Sequence, residues 1–240
     1  MAYIKFNGTK SDDLGLILEN DMTHISSSRD AETVNIAGRD GSLLIDNNRL
    51  NTVEQPFPFI VKPKAKTVGQ VSQDIAKWLD VKGYKDLEKS WDDKYIYKAT
   101  YLETFEVSEV IRQFGRVQLT FLLHPIKYLK DGQKEITVTT GKVVNNRGNQ
   151  VAHPIIKLTG TGDTTITING RQTKLKNIQG ELIWDTERKL VYKGNFTSQW
   201  DKIVAESGQY NTPYLDTGNN TITFTGNFTM KMTTNEGDKI

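Results

Sequence analysis

The chain has 240 residues, a length that suits one large β domain or two domains of ordinary size. Its 31 Lys and Arg residues against 29 Asp and Glu leave a net charge of +2, too small for a protein that mainly grips a nucleic-acid backbone. Because the sequence has no cysteine, disulfide frameworks, thiolate metal sites and cysteine nucleophiles are excluded together. The longest apolar runs are strand-sized, so no membrane span is predicted.

The beginning of the sequence predicts short strands around a hairpin arm. Ala37-Gly38-Arg39-Asp40-Gly41 places glycine on both sides of a charged pair, which suits a turn with positive φ better than a helix. We therefore expect a hairpin with this segment at its tip. The apolar runs that predict strands in this part are 3–6, 14–18, 32–36, 42–45 and 57–61.

One segment, at about residues 68–81, has the period of an amphipathic helix. Thr67 and Gln70 have the spacing of a capping box at its start, and Gly83 stands where a glycine cap is expected at its end. The apolar residues that share one face of this helix are Val68, Val71, Ile75, Trp78 and Leu79.

The rest of the sequence predicts strands only. Pro125 is expected to end the extended run that precedes it, because proline cannot donate to a ladder. From residue 132 onward Thr, Gly and Asn become frequent and no helical period recurs. Asn169-Gly170 is a strong signal for a two-residue hairpin, and Gly226-Asn227 repeats its layout.

The predicted fold is therefore mainly β and has two domains. Residues 1–131 form an amino-terminal domain of strands that contains the α-helix and the hairpin. Residues 132–240 form a second sandwich of about eight short strands.

The sequence offers little for catalysis. Its three histidines are far apart and lack the spacing of metal ligands. Asp12-Asp13, Asp92-Asp93 and Glu187 could supply the two carboxylates of a glycosidase, but neighbours on a strand point to opposite faces. We therefore predict that the chain is not an enzyme and has no metal and no cofactor. A glycoside hydrolase stays open only if two carboxylates converge in a cleft.

Aromatic residues in the β-rich half raise a binding alternative. Sugars stack on aromatic faces, and Trp184, Trp200 and Tyr214 are the candidates for such contacts. Core packing is the competing interpretation, above all for Trp184, which lies in an alternating apolar run.

An ordered series of strand and turn motifs runs through the whole chain. Together these motifs resemble the distal tail protein (Dit) family of siphophages, the phages with long non-contractile tails, that infect Gram-positive bacteria. The motifs that carry the resemblance are Ile4-x-Phe6-Asn7-Gly8, Gly38-Arg39-Asp40-Gly41, Trp78-Leu79, Gly83-Tyr84-x-x-Leu87, Gly141, Asn146-Arg147-Gly148-Asn149, Pro154-Ile155-Ile156-x-Leu158-x-Gly160-x-Gly162 and Leu215-x-x-Gly218-x-Asn220.

The resemblance implies a role as well as a fold. Six copies of the amino-terminal domain would close into a ring around the tail channel, and a galectin-like or carbohydrate-module-like carboxy-terminal sandwich would stand outside it. The ring would meet the tail tube protein on one face and the tail-associated tip protein on the other, while the outer domains hold receptor-binding or baseplate proteins. The resemblance implies that residues 1–131 are a β-sandwich with one α-helix and a projecting hairpin arm over about residues 32–50. Gly38, Arg39, Asp40 and Gly41 match the tip of this arm and become ring-interface candidates.

The leading hypothesis is therefore a structural hub in the distal tail or baseplate of the virion, synthesised in the cytoplasm of the bacterial host. DNA would pass through its lumen without specific contact, so lumen-facing positions should be neutral or acidic in balance. The alternative is a carbohydrate-binding module that contacts host cell-wall glycan through the carboxy-terminal sandwich. Neither hypothesis includes a membrane partner.

Overall fold

The computed structural model describes residues 2–19, 24–111, 114–205 and 211–240, with the side chains of 109–111 left out. The fold is mainly β, as predicted. The chain divides into two compact units, of which the first runs to Lys127 and takes in Lys239–Ile240, and the second is Tyr128–Asp238. Among the described residues the one α-helix is α1 (Val68–Leu79), and no helix has the length and apolar character needed to cross a membrane.

The first unit contains one large sheet and a separate two-stranded ribbon. Its strands are β1 (Ile4–Phe6), β2 (Thr9–Lys10), β3 (Leu16–Leu18), β4 (Arg29–Asn35), β5 (Ser42–Leu50), β6 (Val53–Val61), β7 (Lys85–Lys89), β8 (Tyr95–Thr100), β9 (Ser108–Ile111) and β10 (Phe114–Leu129). The large sheet has the order β2-β1-β7-β8-β10-β6-β3, with β9 paired to β10, and the ribbon is β4-β5.

Phe121 of β10 lies at the centre of the first unit's core. Its ring meets those of Phe6, Phe57, Trp78 and Tyr101 edge to face, at centroid distances of 5.0, 5.8, 6.2 and 5.5 Å. Each such pair adds about 0.5–1.5 kcal/mol beyond the burial of its area. Because Trp78 belongs to α1 and the others to strands or the loop after β8, the cluster fixes the helix on the sheet.

Helix α1 begins at the predicted capping box. The Thr67 hydroxyl accepts from the Gln70 amide at 3.3 Å, and the Gln70 side chain accepts from the Thr67 amide at 3.0 Å. The other end of the helix is fixed by the indole of Trp78, which donates to the carbonyl of Phe6 at 3.0 Å.

The helix is two residues shorter than predicted. It ends at Leu79, and the Asp80 amide donates to the carbonyl of Ala76. Gly83 has a φ of +68° but lies beyond the cap, so it serves the turn that leads into β7 and does not terminate the helix.

Strand β10 continues past the proline that was expected to end it. Its pairing with β6 stops at Leu123↔Val53, so the missing amide of Pro125 removes no bond to β6. The Pro125 carbonyl still accepts from the amide of Ile240 at 3.0 Å. The prediction is wrong because proline blocks only the bonds that its own N–H would donate.

The second unit is built on one sheet of eight strands. Its strands are β11 (Glu135–Val138), β12 (Lys142–Asn146), β13 (Ile155–Ile168), β14 (Arg171–Asp185), β15 (Leu190–Lys193), β16 (Thr197–Ser198), β17 (Gly218–Phe224) and β18 (Phe228–Thr233), and β19 (Gly237–Lys239) ends the chain's strands. The order is β11-β18-β13-β14-β15-β16, and β17 pairs with both β12 and β13.

The predicted hairpin at Asn169-Gly170 is present between β13 and β14. Ile168 pairs with Arg171, which leaves a two-residue loop. Asn169 and Gly170 have φ values of +49° and +81°, as a type I′ turn requires.

Gly226-Asn227 does not form the second hairpin that its layout suggested. β17 and β18 both run antiparallel to β13, at Ile166↔Phe224 and Gly160↔Phe228, so they are consecutive parts of one bent strand. Gly160 leaves space for the Phe228 ring, because an added Cβ would lie 2.5 Å from that ring's Cδ1. The dipeptide therefore marks a break between β17 and β18, and the chain continues in the same direction after it.

The Asn146-Arg147-Gly148-Asn149 motif contacts Glu236 and Gly237 near the end of the second unit. The backbone N–H of Arg147 donates to Glu236 at 2.7 Å, and the guanidinium forms an ion pair with the same carboxylate, which is only 3% exposed as a residue. Gly148 packs directly on Gly237, where an added Cβ would lie 2.1 Å from the carbonyl oxygen.

Candidate assembly surface

The ribbon β4-β5 is a hairpin arm held together by its own pairs. Its register runs from Arg29↔Leu50 to Asn35↔Ser42, with a bulge between Arg29 and Ala31. Near the base, Arg49 pairs with Asp30, and Arg29 lies 3.4 Å from Asp46. Because these ion pairs are exposed, each contributes little to the stability of the arm.

One face of the arm is apolar and uncovered. Val34 pairs with Leu43, and alternation along each strand brings Ile36 and Ile45 to the same face. Glu32, which pairs with Ile45, is the charged residue of this face. The four apolar side chains are 39–45% exposed. The opposite face carries Thr33, Asn35, Ser42 and Leu44. A two-stranded ribbon is only marginally stable by itself, and an exposed apolar face is typical of a surface that binds another protein.

The predicted tip residues lie in the turn between β4 and β5. Gly38 and Gly41 have φ values of +80° and +75°, and both face open space. Arg39 donates its amide to the carbonyl of Ile36 at 3.2 Å. The side chains of Arg39 and Asp40 are exposed and have no ion pair within the part of the chain that the structure describes.

The three aromatic candidates of the second unit have different environments. Trp184 is fully buried in the core, so its ring offers no face to a ligand and the suggested contact role is wrong for this residue. Trp184 and Val191, its cross-strand neighbour on β15, are both members of this core. Trp200 is partly buried and packs against the same core.

Tyr214 lines a cavity of about 720 Å³ whose lining combines apolar surface with polar and charged side chains. The Arg171 guanidinium stacks on its ring at 3.9 Å, and Arg171 Nη1 lies 2.8 Å from Asp216. Hydrogen bonds from Asn169 and Arg171 hold the pKa of Asp216 below its usual range. The cavity can therefore offer an aromatic edge and charged groups to a polar ligand.

Sequence reasoning did not single out Phe196. It is 72% exposed, has a φ of +59° and stacks on Tyr192 at 4.7 Å. A bulky residue with positive φ is uncommon, and nothing in the flanking sequence predicts it except the preceding Gly194-Asn195 turn.

The carboxylates considered for a glycosidase have different environments. Asp12 Oδ1 is buried and has no hydrogen-bond partner among the described residues. Asp92 accepts from the Tyr97 hydroxyl, and Glu187 accepts from Tyr128 at 2.7 Å. Asp13 and Asp93 are exposed. Over the described ranges, no group of three or more His, Asp or Glu residues could hold a metal ion.

Comparison with known proteins shows what part of the chain is similar to. Residues 10–123 match the family model of the phage tail protein RIFT-related domain. This segment is therefore similar to phage tail proteins. The matched segment contains the arm, α1 and most of the large sheet.

A solved structure extends the likeness to the whole chain. The crystal structure of the Dit protein (gp 19.1) of phage SPP1 matches with a TM-score of 0.77 at 16% identity, over 100% of this chain and 99% of that one. SPP1 Dit is described as a paradigm of the hub adsorption apparatus of phages that infect Gram-positive bacteria. No curated protein matches the sequence.

These findings confirm the predicted resemblance and the predicted fold class. The chain has the mainly β fold of Dit, with its sheets in a sandwich arrangement and with α1 as its α-helix among the described residues.

Proposed function

We propose that six copies of this protein form a closed ring that joins the tail tube to the tail-tip protein. The observation that carries the proposal is the uncovered apolar face of the arm, formed by Val34, Ile36, Leu43 and Ile45. A ring of identical subunits needs a contact between two different surfaces, repeated until it closes. An arm that packs on the next copy supplies one of those surfaces.

The size of the arm suits this role. A permanent contact buries about 2,000 Å² or more, and a ribbon with both faces exposed can contribute to such an area without unfolding any other element. The weak ion pairs at its base leave the arm free to take its final position on the neighbouring copy.

The other parts of the proposal follow from the resemblance to Dit. Residues 1–131 build the ring, and residues 132–240 carry the attachment surface for receptor-binding or baseplate proteins. The protein is made in the host cytoplasm and reaches the distal tail of the virion by assembly. DNA passes through the ring without specific contact, and the protein makes or breaks no covalent bond.

Electron microscopy and mass photometry of the purified full-length protein and of assembled tails test the proposal. We expect sixfold rings in the tail and a six-copy species in solution at high concentration. A protein that stays monomeric at every concentration and is absent from the distal end of tails would contradict it.

A second candidate function rests on the Tyr214 cavity. Its lining offers apolar surface together with polar side chains, among them Arg171 stacked on Tyr214, and such a mixture suits the hydroxyl groups and ring faces of a saccharide. Calorimetric titration of the full-length protein with host cell-wall polysaccharide fragments tests it. Saturable binding that Tyr214→Ala abolishes and Tyr84→Ala in the first unit preserves would support this function, and the absence of saturable binding would remove it.

A further inference from the structure

Two turns of this fold are built on the same dipeptide, asparagine followed by glycine. The sequence contains it twice, as Asn7-Gly8 and as Asn169-Gly170. Asn7-Gly8 joins β1 to β2, where Phe6 pairs with Thr9, so its loop has two residues like that of the β13–β14 hairpin. The φ values are +48° and +85° in the first turn and +49° and +81° in the second, so both are type I′ turns.

The two turns are also alike in exposure and in backbone hydrogen bonding. The Asn7 amide donates to the carbonyl of Asp86 at 2.9 Å, and the Asn169 amide donates to that of Thr221 at 3.1 Å. All four residues of the two dipeptides are exposed. The turns therefore differ mainly in what holds the asparagine side chain and in the strands that carry it.

The Asn169 side chain is held by three hydrogen bonds. Its Nδ2 donates to Asp216 Oδ2 and to Asn220 Oδ1, each at 2.9 Å, and its Oδ1 accepts from the Thr221 amide at 2.9 Å. The hairpin joins strands of 14 and 15 residues that pair with each other along most of their length. Both the side chain and the turn are therefore fixed.

The Asn7 side chain has no such restraint. Within the described ranges it makes no hydrogen bond, and only its backbone amide is engaged. Its turn leads into β2, which has two residues and lies at the edge of the first unit's sheet. A short strand at a sheet edge opens locally at a much smaller free energy than a long paired strand.

An unrestrained asparagine before glycine has a specific reaction open to it. The backbone nitrogen of the glycine attacks the Cγ of the asparagine, its proton passes to the side-chain nitrogen, and that nitrogen leaves as ammonia. The product is a succinimide, which water opens at either carbonyl to give aspartate or isoaspartate. Glycine favours the attack because it has no side chain to hinder the approach or restrict the backbone. Water is the one other reactant, and nothing is oxidised or reduced.

We propose that Asn7 is a site of spontaneous deamidation in the folded protein and that Asn169 is protected from the same reaction. The inference is independent of the ring proposed above, and the reaction alters this chain without catalysing a change in another molecule. Each modified copy gains one negative charge against its formal net charge of +2. Isoaspartate also lengthens the backbone by a methylene, which a two-residue type I′ turn does not accommodate. The pairing of β1 with β2 therefore changes as the protein ages.

Peptide mapping by mass spectrometry of the folded full-length protein, incubated in mildly alkaline buffer, tests the proposal. Asn7 should be converted at least about tenfold faster than Asn169, because the Asn169 side chain must first lose its hydrogen bonds. The products at Asn7 should include isoaspartate, which direct hydrolysis of the side-chain amide cannot give.

The full-length protein unfolded in guanidinium chloride is the control for sequence effects. Both asparagines still precede glycine in that state, so their rates should become similar. A ratio of rates that is unchanged in guanidinium chloride would show that the flanking residues, and not the fold, set the difference.

Asp216→Ala tests the protection in the second unit. It removes one of the two acceptors of Asn169 Nδ2, so Asn169 should be converted about fivefold faster while Asn7 in the same sample keeps its rate. A melting curve shows whether the variant is folded, and if it is not, the two sites of the unaltered protein decide the question by themselves.

Three results would overturn the inference. One is equal conversion of the two sites in the folded protein, or faster conversion of Asn169. Another is an unmodified Asn7 in the folded protein over the time in which half of the unfolded chain is converted. The third is a folded Asp216→Ala protein in which Asn169 keeps its original rate, which would remove the proposed cause of its protection.

Discussion

Gly148 is the residue at which one added methyl group should do most harm. The Cβ of Gly148→Ala would lie 2.1 Å from the carbonyl of Gly237, and the nearest atoms are backbone that cannot move aside cheaply. We expect a loss of about 1–3 kcal/mol in the free energy of unfolding, with the second unit most affected. Thermal melting monitored by circular dichroism measures this loss of stability.

Gly69→Ala in α1 is the matched control. It adds the same methyl group where the nearest atom is the Thr67 hydroxyl at 4.0 Å, so it should be neutral or stabilise by up to about 1 kcal/mol. Equal melting temperatures for the two variants would contradict the packing of Gly148 on Gly237.

Because of Lys89, the free energy of unfolding of the first unit should depend on pH. Burial lowers the pKa of Lys89 from 10.5 to about 8, against the opposing effect of the Asp92 carboxylate. Between these values the unfolded chain binds more protons than the folded one, so the free energy of unfolding should rise with pH from about 8 to about 10. The burial penalty on the charged form is fully present below pH 8.

Urea unfolding of dilute, unassembled protein at pH 7 and pH 9.5 measures this effect. Lys89→Met should be more stable than the original at pH 7, and the difference should shrink at pH 9.5, because Asp92 and Lys127 are common to both proteins. A Lys89→Met protein that is less stable at pH 7 would show that the ammonium has a favourable partner.

At the scale of elements, α1 depends on local signals that can be tested one at a time. Thr67→Ala removes a side-chain cap and should cost about 1 kcal/mol, whereas Thr67→Ser keeps the hydroxyl and should cost much less. Chemical denaturation of the three proteins is the measurement. Indistinguishable midpoints would mean that packing of Trp78 and Ile75 alone holds the helix.

The arm should determine assembly without determining folding. Leu43→Glu places a charge on the apolar face and should abolish ring formation, because the carboxylate would be buried against the next copy. Leu44→Glu, on the opposite face and 64% exposed, is the control and should assemble normally. Both should melt like the original protein in the unassembled state, and sedimentation velocity distinguishes them. Equal assembly of the two variants would show that the apolar face is not covered.

Elements specified by neighbouring residues could be predicted from the sequence, whereas those that depend on distant pairing could not. The capping box of α1 and the Asn169-Gly170 hairpin are local and were correct in type and place. Gly226-Asn227 has the same local signal, but β17 and β18 follow the bend of β13 and so do not pair with each other. Pro125 fits within β10 because β6 has already ended.

The same distinction applies to the candidate sites. Gly38-Arg39-Asp40-Gly41 could be placed at a hairpin tip, because glycine is the residue that most readily adopts the positive φ of a tight turn. Trp184 could not be assigned to surface or core, because an alternating run does not say which face is covered. Lys89 gave no signal at all, since a lysine in a strand is usually exposed and only the aromatic rings from two other strands bury it.

At the scale of the whole molecule, the proposed function depends on shape and repetition. The near-zero net charge and the fold shared with SPP1 Dit suit the proposed collar through which DNA passes. In this proposal the uncovered arm is the part of each copy that contacts another copy.

Native mass spectrometry of the full-length protein beside an arm-deleted variant, in which residues 30–49 are replaced by a short glycine turn, tests this account most directly. The account predicts a six-copy species for the full-length protein and a folded monomer for the variant. The same oligomeric state for both proteins, whether monomer or hexamer, would contradict it.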